Sequence, residues 1–302
     1  MTLYNSLLDT IGNTPLVKLH KIIPAGSEVY VKIESRNPGG SAKDRTVLSM
    51  INDAEARRTL QAGGTIIEPT SGNTGIAIAM IAAVRGYKAV MVMPDTMSKE
   101  RMSYMRAYGA ELVLTPGKLG MQGAVDKAKE LQQSTPNSVI LDQFGNAANA
   151  AIHRTTTGRE ILADLPDVAY VVAGFGTGGT VTGIARALHD AGSDAEAVGV
   201  EPTESPLITS GHAGPHKIQG IGANFIPGNL DRSVVKIIAT VKGDDAIVTT
   251  RRLAREEGIF TGISAGAAVW EALQLASQHP GKKIVAILPD GGDKYVSMGI
   301  YD

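Results

Sequence analysis

Residues Gly174-Phe175-Gly176-Thr177-Gly178-Gly179-Thr180-Val181-Thr182-Gly183 follow an apolar run and lead into an apolar-periodic segment. That reads as a strand, a glycine-rich turn and a helix. Backbone N–H groups in such a turn can approach a phosphate, and the helix dipole favours negative charge there. A second cluster is Ser41-Ala42-Lys43-Asp44-Arg45, after the turn signal Asn37-Pro38-Gly39-Gly40. Ser41 suits an N-cap and Asp44 a capping-box partner, which puts Lys43 in a first helical turn. A cation is disfavoured there, and with partial burial its ammonium pKa should fall, as an imine-forming lysine requires. A third, Glu68-Pro69-Thr70-Ser71-Gly72-Asn73-Thr74-Gly75, gathers hydroxyl and amide side chains at a helix start, where they suit a carboxylate.

Each cluster has a competing interpretation. Gly174, Gly176 and Gly179 also satisfy the dinucleotide pattern GxGxxG, with Glu201 as a ribose-binding acid. However, several strand–helix units precede this turn, whereas the dinucleotide motif opens its unit. The cluster around Asn73 could be an elaborate cap, and Lys43 alone could be a solvated lysine. Gly262-Ile263-Ser264-Ala265-Gly266 matches the GxSxG nucleophile elbow of hydrolases. There the only later histidine, His279, precedes Asp290 and Asp293, which is the wrong triad order. Ser264 suits instead a neutral hydrogen bond to a heterocyclic nitrogen. Taken jointly, an activated lysine, a phosphate cradle, a carboxylate nest and a late serine are the parts needed for pyridoxal phosphate chemistry.

These clusters sit in an alternation of short apolar runs and helical patterns. Thr65–Glu68, Ala89–Met93, Glu111–Leu114, Val139–Asp142, Ala169–Ala173, Ala197–Glu201 and Lys283–Leu288 read as parallel strands buried on both faces. Gly75–Arg85, Lys99–Ala107, Gly123–Gln133, Thr157–Ala163, Thr182–His189, Asp245–Glu257 and Ala265–Ser277 read as helices. This rhythm predicts an α/β fold with open parallel sheets. A chain of 302 residues predicts two domains, with a change near Gly145–Ile152. Residues 204–230 read as a long functional loop.

Composition narrows the function further. A net charge of −1 and few aromatics provide no footprint for nucleic acid or an anionic membrane. With no cysteine, thiolate chemistry and disulfides are excluded, consistent with a cytoplasmic location. The N-terminus has no signal-peptide pattern, and no segment has a membrane-spanning run. His212 and His216 lack helical spacing, so no metal site is expected.

The motifs resemble cysteine synthase (O-acetylserine sulfhydrylase), of the β-family of pyridoxal-phosphate-dependent enzymes. The resemblance rests on Ile11-Gly12-Asn13-Thr14-Pro15-Leu16-Val17, Asn37 to Arg45, Thr70 to Gly75, Gln143-Phe144, Gly176 to Thr180 and Gly220-Ile221-Gly222-Ala223, in family order across nearly the whole chain. It implies two open-sheet α/β domains of the tryptophan synthase β-like fold, fold type II of the pyridoxal phosphate (PLP) enzymes. A smaller mobile domain, 37–149, would carry the Schiff-base lysine and carboxylate loop. Residues 1–36 plus 150–302 would bind the cofactor phosphate.

By resemblance, Lys43 binds pyridoxal 5'-phosphate and then serves as base on the substrate Cα–H. Gly176, Thr177, Gly178, Gly179 and Thr180 bind the phosphate, Asn73 the ring hydroxyl, and Ser264 faces the pyridine nitrogen. Thr70, Ser71, Gly72, Thr74 and Gln143 hold the substrate carboxylate, with Gly222 near the amine. The implied reaction forms L-cysteine from O-acetyl-L-serine and sulfide, releasing acetate. Cystathionine β-synthase, with homocysteine as nucleophile, shares the Lys-Asp-Arg context and is the alternative. A homodimer and a complex with serine acetyltransferase are also implied.

The chain departs from the family pattern at several positions. Ala42 stands for the usual valine, Ala147 for proline, and Asn224 for the last glycine of Gly-Ile-Gly-Ala-Gly. Asp293-Lys294-Tyr295-Val296-Ser297 stands for Glu-Arg-Tyr-Leu-Ser. None removes a catalytic role, but Ala147 and Asn224 leave the nucleophile open.

Overall fold

A computed structural model describes residues 3–302. In chain order the elements are β1 (Leu16–Lys18), β2 (Glu28–Ile33), α1 (Lys43–Ala56), β3 (Thr65–Pro69), α2 (Asn73–Arg85), β4 (Lys88–Pro94), α3 (Lys99–Ala107), β5 (Glu111–Thr115), α4 (Gly120–Ser134) and β6 (Ser138–Val139). Then follow α5 (Ala148–Thr155), α6 (Thr157–Asp164), β7 (Val168–Gly174), α7 (Gly179–Asp190), β8 (Glu196–Pro202), α8 (Leu207–Ser210), β9 (Ile237–Val241), α9 (Gly243–Glu257), α10 (Ile263–Gln278) and β10 (Lys283–Leu288).

The chain divides into two compact units. One comprises the described N-terminal residues through Ile11 together with Asn37–Ala148. The other comprises Gly12–Arg36 and Asn149–Asp302. Leu8 and Ile11 pack against the core of the first unit, which gives the N-terminal residues a reason to lie with it. The first unit holds a sheet of order β5-β4-β3-β6 with every pairing parallel. The second holds the order β1-β2-β10-β7-β8-β9, parallel except for the β1–β2 pair.

The central strands are buried along their length, as their unbroken apolar runs require: Ile66 and Ile67, Met91 to Met93, Val171 to Ala173, and Ile284 to Leu288. β1, β2 and β9 were absent from the expected strands: β1 spans only three residues, charged Glu28 and Lys32 break the apolar pattern of β2, and in β9 only Val241 is buried. The predicted strand Val139–Asp142 stops at Val139, and Asp142 adopts the left-handed φ of 54° that ends the extended run. Helix α5 was absent from the expected set.

Each sheet has one position where the connections diverge. In the smaller sheet β3 leads to β4 and β5 on one side, and β6 returns on the other. In the larger sheet β7 leads to β8 and β9, while β10 lies on its opposite side. Crevices outside the carboxyl ends of strands at such positions are where open α/β sheets bind ligands. The expected carboxylate loop follows β3, and the expected phosphate turn follows β7.

Candidate active site

In the first unit Lys43 is the first residue of α1 and is half-buried. The helix starts one residue later than expected, with Ala42 at the N-cap. Ser41 Oγ still accepts the Lys43 N–H at 3.2 Å. Asp44 turns back to accept the Gly39 N–H at 2.6 Å rather than closing a capping box on Ser41. Asp44 and Arg45 are buried, so Lys43 sits on a firmly packed helix start.

Thr70, Ser71, Gly72, Asn73 and Thr74 form the β3–α2 turn. Thr70 Oγ1 accepts the Gly72 N–H at 3.4 Å. A Cβ placed on Gly72 would meet nothing within 4 Å, so the turn faces open space there. No acid lies in the first turn of α2, which leaves its positive end uncompensated. Gln143 arrives from the segment after β6, and Thr74 Oγ1 donates to its Oε1 at 2.7 Å. With Oε1 accepting, Nε2 is the end of the amide that can donate to a carboxylate. The structure therefore brings Thr70 to Thr74 and Gln143 to one switch point.

In the second unit Gly174 to Thr180 forms the β7–α7 turn, with Gly178 at the N-cap at φ 81°. The glycines are demanded by the protein's own packing. A Cβ on Gly176 would lie 2.5 Å from the Gly220 carbonyl oxygen, and one on Gly178 would lie 2.7 Å from the Leu230 nitrogen. One on Gly179 would collide with Asn149. The result is a rigid turn whose first helical N–H groups have no acceptor within the helix. No acid lies in the first turn of α7.

The two threonine hydroxyls of this turn are contacted from α5, which the sequence reading missed. Asn149 Nδ2 donates to Thr177 Oγ1 at 3.0 Å. His153 Nε2 lies 3.2 Å from Thr180 Oγ1, and its Nδ1 lies 2.8 Å from Thr157 Oγ1. The four-residue spacing of Asn149 and His153 was the available signal, once that stretch is taken as helical.

Ser264 is the second residue of α10 and is buried. A Cβ on Gly220 would lie 3.8 Å from Ser264 Oγ, and one on Gly174 would lie 3.8 Å from the Ser264 carbonyl. The serine, the glycine turn and the loop bearing Gly222 therefore converge. Gly222 has φ 64°, and its carbonyl accepts from His216 Nε2 at 2.9 Å. Asn224 also occupies the left-handed region, at φ 62°, which explains why glycine is usual there. Its Oδ1 accepts from Ser205 Oγ at 2.7 Å.

Two competing readings end here. Both Glu201 oxygens are taken by the start of α8, from the N–H groups of Ile208 and Thr209 and the Thr209 hydroxyl, so Glu201 is a helix cap. Ser264 is not on a strand-to-helix elbow: α9 precedes α10, and only an isolated bridge between Thr261 and Gly291 lies near. His279 caps the far end of the 16-residue α10, roughly 22 Å away along its axis.

Each unit by itself carries groups that fit part of pyridoxal phosphate. The turn at Gly176 to Thr180 offers backbone N–H groups and two hydroxyls to a phosphate, and Ser264 offers a neutral partner for a ring nitrogen. Lys43 offers an amine and Asn73 an amide.

Comparison with known proteins agrees with this fit. Residues 7–290 match the family described as pyridoxal-phosphate dependent enzyme. The chain is 50% identical to O-ureido-L-serine synthase of Streptomyces lavendulae, over 100% of this chain and 94% of that protein. It is 46% identical to a cysteine synthase of Staphylococcus aureus, over 98% and 97%. A crystal structure of O-ureido-L-serine synthase superposes with a TM-score of 0.96 at 49% identity, covering 100% of this chain and 96% of the other. The O-acetylserine-dependent cystathionine β-synthase of Helicobacter pylori superposes with a TM-score of 0.93 at 39% identity, covering both chains completely. The two sheets are thus those of fold type II.

Proposed function

The chain belongs to the family of pyridoxal-phosphate-dependent enzymes, and from that premise we propose that it catalyses β-replacement on O-acetyl-L-serine, with sulfide as nucleophile and L-cysteine and acetate as products. The observation that carries this reading is the neutral Ser264 hydroxyl beside the phosphate turn. When bound, the cofactor supplies an electron sink for negative charge at the substrate Cα. An acid in place of Ser264 would keep the ring nitrogen protonated and favour full delocalisation, as in transamination. The neutral serine hydroxyl carries no charge that would keep the ring nitrogen protonated, so expulsion of a good leaving group from Cβ competes well.

The other roles are those the family resemblance implies. Lys43 secures the cofactor through its amine, then removes the proton from the substrate Cα. Gly176, Thr177, Gly178, Gly179 and Thr180 grip the phosphate, and Asn73 orients the ring. Thr70, Ser71, Gly72, Thr74 and Gln143 hold the substrate carboxylate, which fixes the Cα–H direction. Gly222 lies by the substrate amine. We also propose a cytoplasmic homodimer that binds serine acetyltransferase, to be tested by sizing chromatography with and without that partner.

The 50% identity to O-ureido-L-serine synthase favours one second reading. Its named product would arise by the same replacement with the hydroxyl oxygen of hydroxyurea as nucleophile. The deciding experiment compares rates with O-acetyl-L-serine and sulfide, hydroxyurea or homocysteine. Sulfide giving the highest kcat/KM supports the cysteine synthase reading. A preference for hydroxyurea or homocysteine replaces it.

A further inference from the structure

We infer that Glu68 is a positioning residue for substrate, holding Gln143 in the carboxylate site by gripping its backbone. The inference rests on the reading that Thr74 and Gln143 hold the substrate carboxylate. The parallel ladder between β3 and β6 has two registered pairs, Thr65 with Ser138 and Ile66 with Val139. Beyond it the chain leaves the sheet, with Asp142 left-handed. Buried N–H groups in this stretch need acceptors that no strand provides. Glu68, 2% exposed at the carboxyl end of β3, supplies them. Its Oε2 accepts the Leu141 N–H at 3.0 Å and its Oε1 the Gln143 N–H at 3.4 Å.

One carboxyl group thus bridges Leu141 and Gln143 beside the switch point and fixes the residue whose side chain meets Thr74. The clasp also connects to the lysine helix. Asn146 Nδ2 donates to the Leu141 carbonyl, the Ala148 N–H donates to Asn146 Oδ1, and Ser49 Oγ on α1 donates to the Ala148 carbonyl. Burial pushes the Glu68 carboxyl up from 4.5 to about 7, against the pull of the N–H groups of Gln143, Leu141 and Asp142. A buried carboxyl is an expensive way to satisfy two amides. Its two acceptor oxygens suit a backbone that must be held without a strand.

The test uses holoenzyme of the wild type, Glu68→Gln, Glu68→Asp, Gln143→Ala and the Glu68→Gln/Gln143→Ala double variant. The readouts are KM and kcat for O-acetyl-L-serine, cofactor affinity and thermal midpoint. Glutamine keeps the volume but offers one acceptor and an NH2 to two N–H groups. Glu68→Gln should raise KM roughly tenfold, the effect of about one hydrogen bond, with kcat and cofactor affinity little changed. Glu68→Asp should fall between it and the wild type, and serves alone if the glutamine variant does not fold. The double variant should be no worse than Gln143→Ala. If Gln143→Ala raises KM but neither Glu68 variant does, or if the effects multiply, Glu68 does not act through Gln143. If Gln143→Ala leaves KM unchanged, the carboxylate reading falls and this inference with it.

Discussion

In the smaller sheet the connections diverge between β3 and β6, and in the larger between β7 and β10. Both candidate ligand turns follow the strand at that divergence, so the topology is the same, while the means of holding each turn differ. The β7–α7 turn is squeezed by Gly220, Leu230 and Asn149 and has no freedom to move without disturbing its neighbours. The β3–α2 turn faces open space at Gly72 and is held from below by side chains, through Thr74, Gln143 and Glu68. The cores differ in the same sense. Met50, Met80, Met91, Met93, Met102 and Met105 lie in the core of the smaller unit, whereas the main core clusters of the larger unit contain no methionine. Methionine adapts to changing packing more readily than branched residues do. A cofactor phosphate stays through every turnover and suits a rigid cradle; a substrate carboxylate enters and leaves and suits an adaptable one.

The largest expected effect tests whether the smaller unit carries the chemistry. Lys43→Ala should lower turnover on the order of 10³-fold while thermal unfolding stays near wild type. Turnover within tenfold of wild type would remove Lys43 from its role.

Next is the pH dependence of stability. The folded Glu68 carboxyl titrates at about 7, above its ordinary 4.5, so folding favours its neutral form. Its contribution is fully present below pH 4.5 and is lost as pH rises through 7. The loss approaches roughly 3 kcal/mol. Urea midpoints from pH 4.5 to 8 should therefore decline more steeply for wild type than for Glu68→Gln. Parallel profiles would show that the clasp does not titrate there.

A pair of alanines probes the rigid and open turns directly. Gly178→Ala meets Leu230 backbone and a left-handed φ, and should cost about 2 kcal/mol and weaken cofactor binding. Gly72→Ala should leave stability near wild type and change only the KM for amino-acid substrate. Equal destabilisation of the two variants would erase the contrast.

The smallest effect is at Asn224→Gly, within about 1 kcal/mol. Relief of the left-handed backbone offsets loss of the Ser205 contact. A larger shift in the thermal midpoint would show that the Gly220 to Asn224 loop depends on that side chain.

Much of the candidate site's local geometry was legible because its residues lie in short turns. Lys43 at a helix start, the hydroxyl–amide run before α2 and the glycine turn after β7 are each set by a few neighbouring residues, so spacing was enough to find them. Asn149, His153 and Glu68 were missed as partners because their roles depend on elements that pack from elsewhere in the chain. The role of Glu201 was open in the sequence for the same reason. An acid at a strand end looks identical in sequence whether it meets a ribose or the start of α8.

By itself the sequence determined the alternation of buried parallel strands and helices, the absence of thiol chemistry, and the residue types at each turn, since these follow from periodicity and local backbone preference. Only the tertiary structure decided which turns sit at the two switch points. It also decided that glycine at 176, 178 and 179 answers to the protein's own packing, and that a buried carboxyl group holds Gln143 where no strand can. Those outcomes depend on strand order and on contacts between residues distant in the chain, 75 positions apart for Glu68 and Gln143, which no local pattern encodes.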